Sequence, residues 1–82
     1  MSRGLGKVQR RILNIVCDFP EWGASIKYIH NLTKQHKASV SRGITSLETR
    51  DLVYRVENEE RVKPTPAGID YHLQQLEKTH AI

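Results

Sequence analysis

Lys37-Ala38-Ser39-Val40-Ser41-Arg42-Gly43-Ile44-Thr45-Ser46-Leu47 is the stretch on which the fold turns. At about 100° per residue, Val40, Ile44 and Leu47 fall on one narrow helical stripe. Ala38, Arg42, Thr45, Ser46 and Thr49 fall opposite, flanked by Ser39 and Ser41. That outward face carries short hydroxyls, one guanidinium and no carboxylate. Solubility alone would favour Glu and Lys there, which form helix better than Ser or Thr. Short hydroxyl side chains let a helix lie close against a partner, and Arg forks onto the O6 and N7 of guanine. The pattern predicts a helix shaped to enter a DNA major groove. The plainer alternative is an amphipathic helix with a serine-rich face.

Upstream, Ile26, Ile29, Leu32 and Thr33 share a face, which predicts a short helix over 26–34 with Ser25 as its N-cap. Lys27, Asn31 and Lys34 point the other way, toward a phosphate backbone. Gln35-His36-Lys37 is a short polar connection to the helix expected over 37–50. Two short helices so joined make a helix-turn-helix pattern. Earlier still, Leu5, Val8, Ile12, Ile15, Val16 and Phe19 recur with a 3.6-residue period, predicting a buried helix over 5–19 that Pro20 ends. Trp22 is expected to cap the core with its ring, and Ala24-Ser25 to form a short extended link. Gly43, inside the reading helix, is expected where another helix passes close.

Downstream, Leu52 to Pro64 reads as a hairpin. A three-residue loop, Asn58-Glu59-Glu60, would set Val56 opposite Val62, Tyr54 opposite Pro64 and Arg55 opposite Lys63, giving one apolar and one ionic face. A two-residue loop would instead set Arg55 against Val62 and Tyr54 against Lys63. The longer loop is the expectation. Thr65 as N-cap and Pro66 at the first helical position open a last helix over 66–79. Its stripe of Ile69, Leu73 and Leu76 is more than so small a core can use, so these three residues are expected to meet their counterparts in a second subunit. The fold class is therefore mainly α with a small β-hairpin, one domain over 1–82.

The totals agree with a single soluble domain. Eighty-two residues with 38% apolar and 27% charged side chains bury one modest core. No apolar run approaches the roughly 20 residues of a membrane span, and no apolar leader is present, so a cytoplasmic location without membrane contact is expected. The net charge of +4 is uneven. Residues 1–50 hold nine Lys or Arg against three acids, a balance of +6, whereas 51–82 hold four against six, a balance of −2. A basic half suits an anionic partner. Cys17, the single cysteine, excludes an internal disulfide and reads as a small apolar residue. The four histidines are scattered, and there is no metal-ligand spacing, phosphate loop or nucleophile elbow. No catalytic residue, metal or cofactor is implied, and the chain is not expected to be an enzyme.

The order of elements resembles the winged helix-turn-helix transcription regulators, particularly the multiple-antibiotic-resistance regulator (MarR-like) branch. The resemblance is carried by Ser39-Val40-Ser41-Arg42 with Leu47-Glu48, by Asp51-Leu52-Val53-Tyr54-Arg55, and by Thr65-Pro66-Ala67-Gly68. It implies a recognition helix, a wing hairpin and a C-terminal dimerisation helix, in a homodimer that binds pseudo-palindromic double-stranded DNA. Asp51 stands where the family usually has glycine and Pro64 where it has leucine. The connection between the helix pair is one residue longer, and the wing tip carries Glu57, Glu59 and Glu60. The reading assigns DNA contacts to Lys37, Ser39, Ser41, Arg42, Thr45, Ser46, Arg55, Arg61 and Lys63. Phosphate contacts fall to Lys27, Asn31 and Lys34, and dimerisation to Ile69, Leu73 and Leu76. A repressor is expected. No small-molecule effector is expected, since the long extra helices that build a ligand pocket in full-length members are absent from this sequence. The rival reading is a winged helix used for protein contact. A binder of single-stranded or left-handed nucleic acid is a third, weakened by small hydroxyl residues where Z-form binders carry Asn and Tyr.

Overall fold

A computed structural model of the chain describes residues 5–80, with side chains as far as Glu77. Residues 1–4 and 81–82 of the expected domain lie outside the described residues. The elements are α1 (Lys7–Cys17), β1 (Ala24–Ser25), α2 (Ile26–Thr33), α3 (Lys37–Thr49), β2 (Val53–Val56), β3 (Arg61–Pro64) and α4 (Pro66–His80). The strands form one antiparallel sheet in the order β1-β3-β2.

The core forms where α1 crosses α3. Ile12, Leu13 and Val16 of α1 share one buried cluster with Val40, Ile44 and Leu47 of α3, together with Ile29 and Val62. Gly43 lets the two helices approach: a Cβ there would stand 2.7 Å from Ile12 Cδ1. Leu13 lay off the expected stripe yet is 1% exposed. The reason is that α1 touches α2, α3, α4 and β3, so its apolar face is wider than one stripe.

Ser25 caps α2, its Oγ accepting from the Tyr28 amide at 3.0 Å. Thr65 does more than cap α4. Its Oγ1 accepts from Gly68 N at 2.9 Å and its hydroxyl donates to the Asp51 carbonyl at 2.6 Å, stitching α4 to the root of the hairpin. Asp51 itself has φ of 60°, a left-handed conformation that explains the family's usual glycine and that Asp tolerates better than most residues.

Several expectations fail here. The buried helix ends at Cys17, and Phe19 is 38% exposed. Trp22 does not cap the core; it is 73% exposed. Gly23 turns on its amide bond to the Phe19 carbonyl (2.7 Å) and lies against the Val62 carbonyl, so the chain passes β3 glycine-inward and throws Trp22 outward. Leu32, placed on the apolar face of α2, is 40% exposed, and Thr33 takes the buried position. Lys34 is not helical but the left-handed C-cap of α2.

The hairpin adopts the register that the three-residue loop was meant to avoid: Val53 pairs with Pro64, Tyr54 with Lys63, Arg55 with Val62 and Val56 with Arg61. Val53, Val62 and Pro64 face the core, and Arg55 sits at the edge of that face, where its guanidinium escapes to Glu48 on α3. An ion pair with the neighbouring helix makes Arg55 acceptable on the apolar side. The extended link is also a true strand, with Ala24 opposite Val62 and Ser25 opposite Arg61. β3 is thereby the central strand.

Candidate nucleic-acid interface

The outward face of α3 is largely exposed, with the Arg55 side chain reaching across it to Thr45 and Ser41. Ala38, Ser41, Arg42, Thr45 and Thr49 are exposed, and Ser39 and Ser46 are half-buried. Arg42 leans back along the helix, its Nε donating to the Ala38 carbonyl at 3.4 Å, and Thr49 Oγ1 donates to the Thr45 carbonyl at 3.0 Å.

Two depressions flank this face. One, of about 460 Å³, gathers Lys27, His30 and Asn31 of α2 with Lys37 and Ser41 of α3, and Glu60 from the hairpin tip. The other, of about 330 Å³, brings Ser39, Arg42 and Ser46 beside Lys7 and Gln9 at the start of α1. The first unites four of the assigned residues, Lys27, Asn31, Lys37 and Ser41. The second adds Lys7, from the first turn of α1. Nothing in the helical period of α1 shows that its first turn abuts the middle of α3; that follows from the crossing at Gly43. Lys34, at the end of α2, is exposed and lines neither depression.

Arg55 is held against α3. Its guanidinium pairs with Glu48 and stands 3.4 Å from both Thr45 Oγ1 and the Ser41 carbonyl, while its amide donates to Glu48 Oε2 at 3.4 Å. The face read as free of carboxylate is therefore bordered by Glu48 on its Ser41 side. The signal was present in the spacing, since positions 41, 45 and 48 follow one row of a helix. Arg61 and Lys63 are not brought to α3. Both lie on the outer face of the sheet, opposite Val56 and Tyr54, and Arg61 Nε pairs with Glu59 at 3.6 Å.

Along α4, Ile69 is half-buried and Leu73 and Leu76 are 51% and 42% exposed. No group of three His, Cys, Asp or Glu side chains that could hold a metal exists among the described residues. No helix among them is long and apolar enough to cross a membrane. Burial, helped by the Asp18 charge, pushes the Cys17 thiol from its ordinary 9.0 up to about 11, so it is no nucleophile at neutral pH.

The sequence profile of the MarR family matches residues 3–61. The chain belongs to the MarR family. Its members are winged-helix transcription regulators that bind DNA, not enzymes. Solved structures agree on the fold. MepR, a transcription regulator of the Staphylococcus aureus multidrug efflux pump MepA, superposes with a TM-score of 0.73 at 19% identity, over 94% of this chain and 63% of that one. The S. aureus MepR–DNA complex gives 0.77 at 18% identity, over 94% and 71%. A MarR/EmrR family regulator from Acinetobacter sp. ADP1 gives 0.75 at 20%, over 95% and 56%. The present MarR-family chain thus spans less than two thirds of the first and third of these proteins. No curated protein sequence matches it.

Proposed function

We propose that this MarR-family chain binds double-stranded DNA sequence-specifically as a homodimeric transcriptional repressor, with α3 in the major groove. The observation that carries the reading is the exposed α3 face, where Ser41, Arg42 and Thr45 reach solvent and, among the described residues, the Arg55 side chain is what reaches across it. Arg42 supplies the planar fork that guanine O6 and N7 accept, while Thr45 and Ser41 offer methyl and hydroxyl groups to thymine or to base edges. Lys37 and Ser39 anchor the helix start, and Ser46 borders the groove wall. Lys27 and Asn31 on α2, with Lys34 just past its end, serve as the phosphate contacts of the first helix of such a pair. Arg55 joins them by exchanging Glu48 for a phosphate, and Arg61 and Lys63 add attraction along the outer sheet. Ile69, Leu73 and Leu76 of α4 join two copies, so that two recognition helices meet a pseudo-palindrome.

Selection of bound sites from random duplex DNA, run at two salt concentrations, tests the reading. A single enriched half-site motif is expected, and Arg42→Ala should cost about 1–3 kcal/mol on that motif and relax preference at one position. Unchanged site-specific affinity in that variant removes Arg42 from the interface, and the absence of any enriched motif removes sequence-specific binding.

A further inference from the structure

Phe19, Trp22 and Tyr28 line one shallow depression of about 420 Å³ over Gly23 and Ala24. Phe19 meets Tyr28 edge-on, with ring centroids 5.8 Å apart and planes at 79°. Leu32, one turn beyond Tyr28 on the same side of α2, extends the strip. All four side chains are large and at least 38% exposed, Trp22 most of all at 73%. Single exposed apolar side chains are ordinary, but a contiguous strip of this size marks an interaction surface.

The strip runs into positive charge. The Leu32 carbonyl accepts from the Arg11 guanidinium at 3.1 Å, and Arg11 shares a second depression with Lys7, Arg10 and Asn14. Every ionic side chain of α1 is basic. At the aromatic end Asp18 and Glu21 are exposed and Arg61 pairs with Glu59, so positive charge dominates only toward the start of α1. Tyr28 and Leu32 occupy the flank of α2 away from Lys27 and His30, which face α3.

We propose that this surface docks an acidic amphipathic helix of a partner protein. Its apolar side chains rest on Phe19, Trp22, Tyr28 and Leu32, and its carboxylates lie against Arg10 and Arg11. Asp18 and Glu21 repel carboxylates at the aromatic end and so fix the direction of the incoming helix. From Arg10 to the end of α1 at Cys17 the rise is about 10 Å, which two turns of a partner helix span. The proposal goes beyond DNA binding and does not depend on it.

Trp22 is the chain's only tryptophan, so its emission reports the strip directly. The probe is a designed amphipathic helical peptide with a leucine stripe flanked by Glu, compared with the same peptide flanked by Lys. Emission should move to the blue with the Glu peptide and not with the Lys peptide. Arg10→Glu combined with Arg11→Glu should weaken binding by about tenfold or more. If that variant does not fold, the wild-type titration repeated in about 0.5 M salt serves instead, because screening weakens exposed charge pairs. The proposal is overturned by no shift with either peptide, by equal shifts with both, or by binding indifferent to both salt and charge reversal. It is equally overturned by a shift seen only with vesicles of anionic phospholipid, or by one that grows with the protein's own concentration.

Discussion

Arg55 is the residue whose role the structure changes most. Read as a free cation of the wing, it lies instead across α3, bound to Glu48 and touching Thr45 and Ser41. Any contact it makes with phosphate must first separate that pair. Glu48→Gln should therefore raise DNA affinity, by freeing Arg55 and by removing a carboxylate from the groove-facing side; electrophoretic titration of the selected site measures it. The same change should cost less than about 1 kcal/mol in denaturant melts, since both side chains are about one-third exposed (36% and 32%). Cys17 permits a pH prediction. Its folded pKa of about 11 lies above the ordinary 9.0, because burial and then Asp18 disfavour the thiolate. The stabilisation linked to it is whole below pH 9 and is lost as pH rises toward 11, because the unfolded chain gives up the proton first. Alkylation near pH 8 should be slow in the native protein and fast after unfolding, which a thiol-labelling time course checks.

At the scale of elements, two glycines separate tolerance from necessity. A Cβ on Gly43 would press only on the flexible end of Ile12, at 2.7 Å, and the ~1 kcal/mol that Ala gains in helix offsets that strain. A Cβ on Gly68 would stand 1.9 Å from the Leu52 carbonyl oxygen, which belongs to the backbone and cannot give way. Gly43→Ala should be nearly neutral in thermal melts, whereas Gly68→Ala should cost at least the ~1–3 kcal/mol typical of overpacking. The helices, their hydroxyl caps at Ser25 and Thr65, and the close approach at Gly43 were legible because each rests on local spacing. The wing register was not. Alternation along Val53 to Val56 assigns Arg55 to the wet face, and only the three-dimensional neighbour Glu48 makes the opposite choice comfortable. Trp22 was misplaced for a similar reason: which way a turn throws its side chain depends on Gly23 pressing against β3. The α3 row of the candidate site was visible in the period of one helix. Lys7 and Glu60 join it through tertiary crossings that no single segment encodes.

For the whole molecule, the exposed stripe of α4 sets the expected assembly. Leu73→Glu should convert dimers to monomers in sedimentation velocity and weaken binding to a two-half-site duplex far more than to a single half-site; a wild-type chain already monomeric at micromolar concentration would refute the pairing. The sheet adds a mechanical consequence. β3 is held by β1 on one edge and by β2 on the other, and the Ile26 amide donates to the Glu60 carbonyl at 2.8 Å. The hairpin is thus bolted to the very start of α2, and this reading head has no wrist. In the proposed complex it would therefore present itself to a duplex in a single pose. In the proposed dimer, a spacer lengthened by one base pair would rotate the second target by about a tenth of a turn, and any give that accommodates it would have to lie in the joint between heads.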